Sequence, residues 1–247
     1  MGLAIVTGGS RGIGAAIAEK LAQDGHDVLI NCASSVEKAE AVAEKCRAYG
    51  VKAYVKQWDV ADYDACAAAL KEIKDEIGVP YILVNNAGIT RDGLMVRMKE
   101  DQFDAVIRTN LKGAFNMLSQ CGAMMMRAKQ GRIINITSMS AHLGFSEVVP
   151  YCTSKGAVLA MTRALAVEWA GDNITVNSIA PGWFRSKMNE QVVDAAREQK
   201  ILNRMPLHAY GDTRDLGKMA EFLVGDGASY ITGQDFAVDG GALAYGY

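Results

Sequence analysis

The chain has 247 residues, of which 50% are apolar, and a formal net charge of -2 at pH 7. This apolar content is sufficient for a large buried core. The balanced charge and the lack of a basic run argue against nucleic-acid binding. The first strand-like run begins almost at Met1, so we expect no signal peptide. No apolar run approaches the roughly 20 residues that cross a bilayer.

The cysteines and histidines give no sign of a disulfide framework or a metal site. The five cysteines are scattered, odd in number and without a C-x-x-C pair, as is typical of reduced thiols in a cytosol. The three histidines show no metal-ligand spacing. We therefore expect a cytoplasmic protein without a catalytic metal.

Strand-like and helix-like segments alternate along the chain. Strands are predicted at Leu3–Val6, Asp27–Cys32, Lys52–Trp58, Tyr81–Asn85, Arg132–Thr137, Ile174–Ile179 and Asp235–Val238. Helices are predicted at about Ala15–Leu21, Ser35–Tyr49, Asp62–Ile77, Lys99–Met126, Pro150–Ala170, Glu190–Leu202 and Thr213–Leu223. The strands are apolar runs without strict alternation, which favours burial on both faces. The pattern predicts a single doubly wound (Rossmann) α/β domain over residues 1–247, with a seven-stranded parallel sheet and helices on both faces.

A glycine-rich stretch connects the first strand to the first helix. It reads TGGSRGIG from Thr7 to Gly14, a T-G-x-x-x-G-x-G spacing. Glycines allow the backbone to approach a pyrophosphate, and the N–H groups of the following helix favour its charge. Taken alone, such a loop also fits an ordinary turn or a tight helix contact. The candidate cofactor contacts here are Gly8, Ser10, Arg11, Gly12, Ile13 and Gly14.

The end of the second strand discriminates between nicotinamide cofactors. NAD enzymes of this architecture usually place a carboxylate there to accept from the ribose 2′-OH. In this chain the segment from Ile30 to Ser35 has no acidic residue. Arg11 and Ser34 could instead provide charge and a donor for a 2′-phosphate. The pattern predicts NADP(H), although Arg11 also fits a solvated loop residue.

Two further polar segments follow strands. Asp59 and Val60 come after the third strand, where Asp59 is either a ligand contact or a helix N-cap before Asp62. The fourth strand ends in the sequence NNAG, from Asn85 to Gly88. An Asn/Gly cluster can be a simple turn, but this one lies at the sheet edge where ligands bind.

Tyr151 and Lys155 are spaced i and i+4, on one face of a helix that Pro150 helps to begin. A phenol with a pKa of ~10 is a poor proton donor near neutrality, and an adjacent ammonium lowers that pKa. The pair could protonate a developing alkoxide. On spacing alone, an ordinary surface contact is the better explanation of such a pair.

Other polar residues support a catalytic reading. Ser138 ends the fifth strand thirteen positions before Tyr151, where its hydroxyl could donate to a carbonyl oxygen. Asn110 is a polar amide inside the long predicted helix, which is unfavourable on propensity grounds. Pro181 and Gly182 follow the sixth strand, and Ser186 lies just beyond.

These motifs, in this order along the whole chain, resemble those of the short-chain dehydrogenase/reductase family. The resemblance implies a catalytic set of Asn110, Ser138, Tyr151 and Lys155, with Asn110 holding a water beside Lys155 and Lys155 also holding the ribose. It implies that Asp59 contacts the adenine, next to Val60. It further implies cofactor-binding roles for Asn86, Ala87, Gly88, Pro181, Gly182 and Ser186. The family usually has Thr where this chain has Ser186.

Within that family the substrate class stays open. The segment Asn85–Met98 resembles the 3-oxoacyl-(acyl-carrier-protein) reductases of fatty acid synthesis, which implies NADPH-dependent reduction of a 3-oxoacyl thioester. Residues 144–157, with Val148-Val149-Pro150, are more similar to reductases of polyol, gluconate-type or other small ketones. Some acyl-carrier reductases also have a basic residue where this chain has Asp172.

Apolar residues dominate the expected substrate pocket, which favours an apolar ketone over a sugar. The residues expected to line the pocket are His142, Phe145, Val148, Trp183, Phe184 and Met188, with Glu147 and Arg185 as further polar candidates. An acidic carrier protein would need a basic surface near the cleft. Candidates for that surface are Arg127, Lys129 and Arg132, which also fit a solvated helix end.

The two long helices carry more apolar residues than one sheet-facing stripe requires, which indicates a second partner. Examples are Phe115, Met117, Leu118, Met124, Leu159, Met161, Leu165, Val167 and Trp169. Members of the resembled family pair these helices, and the chain end from Leu243 to Tyr247 often joins another contact. We therefore expect a homotetramer with D2 symmetry, and no nucleic-acid or membrane partner.

Overall fold

A computed structural model of the chain describes residues 1–184 and 195–245. Its centre is a seven-stranded sheet with the order β3-β2-β1-β4-β5-β6-β7, in which every neighbouring pair is parallel. The strands are β1 (Leu3–Val6), β2 (Asp27–Cys32), β3 (Ala53–Gln57), β4 (Pro80–Asn85), β5 (Gly131–Ile136), β6 (Ile174–Pro181) and β7 (Asp235–Val238). The predicted doubly wound α/β fold is confirmed.

Helices follow the strands as the alternation predicts. They are α1 (Gly12–Gln23), α2 (Val36–Arg47), α3 (Tyr63–Glu76), α4 (Glu100–Val106), α5 (Gly113–Ala128), α6 (Val149–Trp169), α7 (Ala195–Asn203) and α8 (Thr213–Val224). The helix predicted at Glu190–Leu202 is described only from Ala195 onward. In the described part of the chain, no helix has the length and apolar character needed to cross a membrane.

The sheet separates two apolar clusters, one on each face. Side chains of β1 alternate between them: Ala4 and Val6 belong to one cluster, and Leu3 and Ile5 to the other. The first cluster includes residues of α1, α2 and α8, and the second includes residues of α3, α5 and α6. Burial on both faces explains why the strands are continuous apolar runs.

The strand order reverses between β1 and β4, which creates the crevice where ligands bind in such sheets. Val6 pairs with Val84, so both strands end at the same level. The chain leaves β1 into the glycine loop and leaves β4 into the NNAG segment. These two polar segments therefore lie side by side at the carboxyl edge of the sheet.

The long helix predicted at Lys99–Met126 is interrupted. A π-helical segment, Ile107–Lys112, lies between α4 and α5. Asn110 is in this segment, and its side chain bonds the backbone of Ile89 instead of facing solvent. π-helical turns inside α-helices frequently mark functional sites.

Candidate active site

The glycine loop has the geometry of a phosphate cradle. Gly8 and Gly12 have φ values of +62° and +57°, which favour glycine. A Cβ at Gly14 would lie 2.4 Å from Nδ2 of Asn86, whereas a Cβ at Gly12 would meet nothing within 4 Å. Arg11 occupies the N-cap of α1 without capping the helix through its side chain. The first-turn N–H groups, which lack intrahelical partners, are therefore available for an anion.

Side-chain hydrogen bonds fix this loop to the neighbouring strands. The Asn86 amide donates to the carbonyl oxygens of Thr7 at 2.9 Å and Gly8 at 3.1 Å. The Thr7 hydroxyl accepts from the backbone N–H groups of Asn86 and Ala87 at 3.0 and 3.1 Å. The NNAG segment is thus a clamp on the glycine loop rather than a simple turn.

Asn31 also holds the glycine loop in place, a role that its position at the end of β2 did not predict. Its Oδ1 accepts from the N–H of Gly8 at 3.3 Å, and its Nδ2 donates to the carbonyl of Trp58 at 3.0 Å. The side chain is 1% exposed, so it does not face the cleft. The sequence feature that could have indicated this role is a polar residue, Asn31, near the end of the mainly apolar strand β2.

The residues predicted to select the cofactor lie at the rim of the glycine loop, next to the end of β2. Arg11 and Ser34 are both exposed, and the loop is joined to the end of β2 by the bond from the Gly9 N–H to the Asn31 carbonyl, at 3.0 Å. Ser10 and Ile13 are half-buried within the loop. This rim, free of carboxylates between residues 30 and 35, fits a dinucleotide that carries an additional phosphate on its ribose.

Asp59 is exposed, and its carboxylate accepts from the N–H of Ala61 at 2.9 Å. The N-cap of α3 is Asp62, which accepts from the N–H of Ala65, so the N-cap alternative for Asp59 was wrong. Val60 is buried against Gly113, where an added Cβ would lie 2.8 Å from its side chain. Asp59 remains a candidate contact for a ligand base.

Ser138, Tyr151 and Lys155 meet at the carboxyl edge of β5. Ser138 follows that strand; its hydroxyl donates to Oγ of Ser140 at 3.1 Å, and its interaction with the nearby phenol of Tyr151 lowers the pKa of that phenol. Nζ of Lys155 lies 5.6 Å from the centroid of the Tyr151 ring and donates to the carbonyl of Ile136 at 2.7 Å. The structure therefore brings three of the four predicted catalytic residues together.

The electrostatics of this group differ from the expectation. Burial raises the pKa of Tyr151; the interaction with Ser138 offsets part of this rise, and the charge of Asp92 reinforces it. Burial also lowers the pKa of Lys155 to about 8. The sequence predicted a lowered phenol pKa. The ammonium lies one helical turn away, as the spacing predicts, and is bonded to a backbone carbonyl, but burial of the phenol is the larger effect on its pKa.

Asn110, the fourth predicted residue, is fully buried behind Lys155. Its Oδ1 accepts from the N–H of Ile89 at 2.8 Å, and its Nδ2 donates to the Ile89 carbonyl and to Oγ of Ser154. The side chain thus joins the segment after β4 to α6. Gly88 is adjacent, since an added Cβ would lie 3.3 Å from Oδ1 of Asn110 and 3.7 Å from Nζ of Lys155.

A small enclosed cavity of about 10 Å³ lies between Asn110, Lys155 and Asn85. Oδ1 of Asn85 is buried there and has no hydrogen-bond partner among the described residues. The volume is close to the minimum for one water molecule, and the lining includes the polar side chains of Thr7, Asn85, Asn110 and Lys155. The water beside Lys155 that the family resemblance implies stays a prediction.

The remaining predicted cofactor contacts lie at the end of β6. Pro181 is buried in the last position of that strand. Gly182 must be glycine, because a Cβ would lie 2.5 Å from Cα of Asp239. Ser186, together with Arg185 and Met188 of the expected pocket, lies outside the described residues.

The expected substrate pocket needs two corrections. Phe184 is 4% exposed and belongs to a core cluster, with its ring packed against Gly211. The ring of His142 is bonded to Asp235 instead of facing an open pocket. Beside Ser138, a separate apolar cluster contains Met139, Phe145, Trp183, Leu202 and Met205.

The prediction of a basic docking surface near the cleft was also wrong. Arg132 is near the start of β5, at the edge of the sheet opposite Ser138. It is 7% exposed and its guanidinium lies over the ring of Tyr81. Lys129 forms an ion pair with Asp172 at the same edge. Strand direction explains the error, because residues at opposite ends of a strand cannot share one cleft mouth.

Comparison with known proteins identifies relatives along nearly the whole chain. The family profile described as enoyl-(acyl carrier protein) reductase matches residues 8–242. The chain is 44% identical over 238 residues to a 3-oxoacyl-(acyl-carrier-protein) reductase from Staphylococcus aureus, covering 96% of each chain. It is 40% identical over 231 residues to the acetoacetyl-CoA reductase of Paracoccus denitrificans, covering 94% of this chain and 93% of the relative.

A solved structure agrees with the sequence relatives. A gluconate 5-dehydrogenase from Burkholderia cenocepacia, in complex with NADP and tartrate, superposes with a TM-score of 0.94. The two chains are 35% identical, and the match covers 98% of this chain and 95% of the other. All three relatives are named as oxidoreductases.

The buried Lys155 should reduce stability at neutral pH. Its pKa is about 8 in the folded chain against 10.5 ordinarily. Below pH 8 the charged amine carries the full burial cost, and between pH 8 and 10.5 the folded state releases the proton first, so stability rises with pH. We expect Lys155→Met to increase the free energy of unfolding by about 1–3 kcal/mol at pH 7.

Urea unfolding at pH 7 and at pH 9.5 measures this effect. The advantage of Lys155→Met over the wild type should decrease by about 2 kcal/mol between the two pH values. Lys74→Met, on an exposed face of α3, is the matched control and should show no such change. A stability gain that is independent of pH would contradict the burial argument.

Proposed function

We propose that this chain, which belongs to the short-chain dehydrogenase/reductase family of nicotinamide-dependent oxidoreductases, reduces a ketone to a secondary alcohol with NADPH. The substrate we propose is a 3-oxoacyl thioester, as in 3-oxoacyl-(acyl-carrier-protein) reduction. The observation that carries the proposal is the grouping of Ser138 and Tyr151, whose side chains interact, beside the buried Lys155. It lies at the same sheet edge as the glycine cradle.

The residues of this site can supply everything except the hydride. NADPH, when bound, provides the hydride for the carbonyl carbon. The Ser138 hydroxyl donates to the carbonyl oxygen and orients it. The Tyr151 phenol then gives its proton to that oxygen. Because burial raises the pKa of Tyr151, the phenol is protonated at neutral pH, which suits a general acid in the direction of reduction.

Lys155 and the adjacent cavity support replacement of that proton. An amine with a pKa of about 8 both holds and releases a proton near neutrality. One water in the cavity beside Asn110 and Asn85 would lie next to this amine. In this proposal Asn110 fixes the cavity wall through its bonds to Ile89 and Ser154.

The preference for NADPH rests on the rim of the cradle. Arg11 and Ser34 are exposed there, and the end of β2 offers no carboxylate to repel a 2′-phosphate. The related gluconate 5-dehydrogenase was solved with NADP, which supports the same choice. Asp59 would contact the adenine from the neighbouring strand end, and Gly182 would leave room for the nicotinamide half.

Two observations favour a 3-oxoacyl thioester as the substrate. The relatives at 44% and 40% identity are named for 3-oxoacyl and acetoacetyl thioesters. The side chains near Ser138 are mainly apolar, including Met139, Phe145 and Trp183. A second candidate is a gluconate-type ketone, which the structural neighbour and the Val148-Val149-Pro150 run favour.

We also propose a homotetramer located in the cytosol. Phe115 on α5 and Val167 on α6 are 49% and 83% exposed, although both are large and apolar. Four of the expected interface residues, Met117, Leu118, Leu159 and Trp169, are instead buried within the chain. The exposed remainder of these helices is the surface that a partner would cover.

The five cysteines are free thiols, which agrees with a reducing compartment.

Tyr151→Phe tests the general acid. Removing the phenol oxygen should lower turnover by ~10²- to 10⁴-fold, because no other described group is placed to protonate the alkoxide. NADPH affinity, measured by fluorescence titration, should stay nearly unchanged. Tyr230→Phe is the control, since Tyr230 is fully exposed. A Tyr151→Phe enzyme with most of its activity would refute the assignment.

Arg11→Ala tests the cofactor preference. The substitution should weaken NADPH binding by about 1.5–3 kcal/mol, as expected for a lost charged hydrogen bond, and should leave NADH binding almost unaffected. Calorimetric titration with both cofactors measures the difference, with Lys74→Ala as a charge-matched control on the exposed face of α3. Equal losses for both cofactors would mean that Arg11 supports only the loop.

A substrate panel tests the thioester. Acetoacetyl-CoA should be reduced at least tenfold faster than 5-ketogluconate or a steroid ketone at matched NADPH, since a hydrophobic pocket discriminates by about 10- to 200-fold. NADPH absorbance follows each reaction. Background rates with the thioester and rapid turnover of 5-ketogluconate would replace the first candidate with the second.

Sedimentation or light scattering at micromolar concentration tests the assembly. We expect four times the mass of one chain, and Phe115→Glu together with Val167→Glu should reduce it, because two charges would be buried in the proposed contact. Tyr63→Glu, at an exposed aromatic on α3, is the control. A monomeric mass for the wild type would rule the proposal out.

A further inference from the structure

We propose that His142 and Asp235 are positioning residues that hold the Ser138-bearing turn at both of its ends. The inference rests on the proposed function, in which Ser138 orients the substrate carbonyl. It assigns a role to two residues that the reaction itself does not use. Neither of them contacts the reacting atoms in this proposal, so they act only through Ser138.

Asp235 is a buried carboxylate with an unusual number of donors. It lies in β7, and its side chain is 4% exposed. Oδ1 accepts from the hydroxyls of Thr137, at 2.8 Å, and Ser178. Oδ2 is bonded to Nε2 of His142 at 2.5 Å. Burying a carboxylate costs free energy unless hydrogen-bond donors compensate it. The loss of any of these three contacts is therefore unfavourable.

Two of the three donors flank Ser138. Thr137 directly precedes it, and the 3₁₀ turn Met139–Ala141 follows it before His142. One carboxylate therefore anchors the segment before Ser138 through a hydroxyl and the end of the turn through an imidazole. The third donor, Ser178, belongs to β6 and fixes the carboxylate itself to the sheet.

The Ser138 hydroxyl depends on this turn for its direction. Its oxygen accepts from the N–H of Ser140 at 3.1 Å, inside the turn. It also lies at 3.1 Å from Oγ of Ser140. If the end of the turn at His142 were released, the Ser140 N–H would move and the Ser138 hydroxyl would lose its fixed position near Tyr151.

This arrangement explains why His142 is not a pocket wall. Its ring is directed to β7 by the Asp235 bond, although about a third of the side chain is exposed. A substrate contact at His142 would change the KM of the substrate. A positioning role changes kcat instead, because misplacing a catalytic group by about 1 Å can cost 10²-fold in rate.

The test compares His142→Leu with His142→Gln in the full enzyme, with acetoacetyl-CoA and NADPH as the probes. Leucine cannot donate to Asp235, so we expect kcat to fall by roughly tenfold while KM changes less than about twofold. The glutamine amide can donate to Asp235 and should recover most of the loss. Leu143→Ala, at the adjacent and exposed position, is the control.

A double-mutant cycle shows whether His142 acts through Ser138. In a Ser138→Ala background, His142→Leu should produce no further loss of kcat. The inference is overturned if the same loss persists in that background, if His142→Leu keeps normal kcat, or if glutamine is no better than leucine. Full activity of Ser138→Ala would instead refute the proposed function.

Amide hydrogen exchange adds a readout that needs no turnover. The N–H of Ser140, which donates to Ser138, should exchange about tenfold faster in His142→Leu than in the wild type or in His142→Gln. Unchanged exchange would overturn the inference. Melting temperatures are measured in parallel, and the glutamine variant keeps the test valid if leucine destabilises the fold.

Discussion

The structure depends on how the chain satisfies its polar groups at the switch point between β1 and β4. Two parallel strands end there side by side, and their loops diverge to opposite faces of the sheet. Thr7, Asn31 and Asn86 satisfy the backbone groups that this divergence exposes, through bonds of 2.9–3.3 Å. Because these bonds hold the glycine loop in place, the first turn of α1 faces the crevice.

A second set of buried polar groups joins the sheet to α6, the helix that carries Tyr151 and Lys155. Asn85 donates to Asn135, Asn135 donates to Thr162, and Thr162 donates to the carbonyl of Val158, each at 2.9 Å. Side-chain networks of this kind are stabilising when their members are satisfied, and of these three side chains only Asn85 has a buried polar atom, Oδ1, without a partner among the described residues. Their geometry therefore fixes the position of α6 against β4 and β5 more strictly than apolar packing alone.

The same burial sets the charges of the site. Water is excluded around both titratable groups, so the pKa of the Tyr151 phenol rises and that of the Lys155 amine falls. The two pKa values move apart, so near neutrality the phenol keeps its proton while the amine, with a pKa of about 8, can both hold and release one. Burying the Lys155 amine lowers the stability of the fold, because no ion pair compensates its charge among the contacts described. The proposed role of this amine in proton transfer explains why it is nevertheless buried.

The sequence by itself determined the parallel, doubly wound sheet and the glycine loop, and its resemblance to a known family predicted the group of Ser138, Tyr151 and Lys155. Local periodicity, glycine spacing and helix spacing are properties of neighbouring residues, so they can be read along the chain. Only the tertiary structure decided the π-helical interruption at Asn110, the burial of Phe184, the direction of His142 and the opposite placement of Arg132. Each of these depends on a contact between distant segments, such as His142 with Asp235, and burial depends on what other elements cover a side chain.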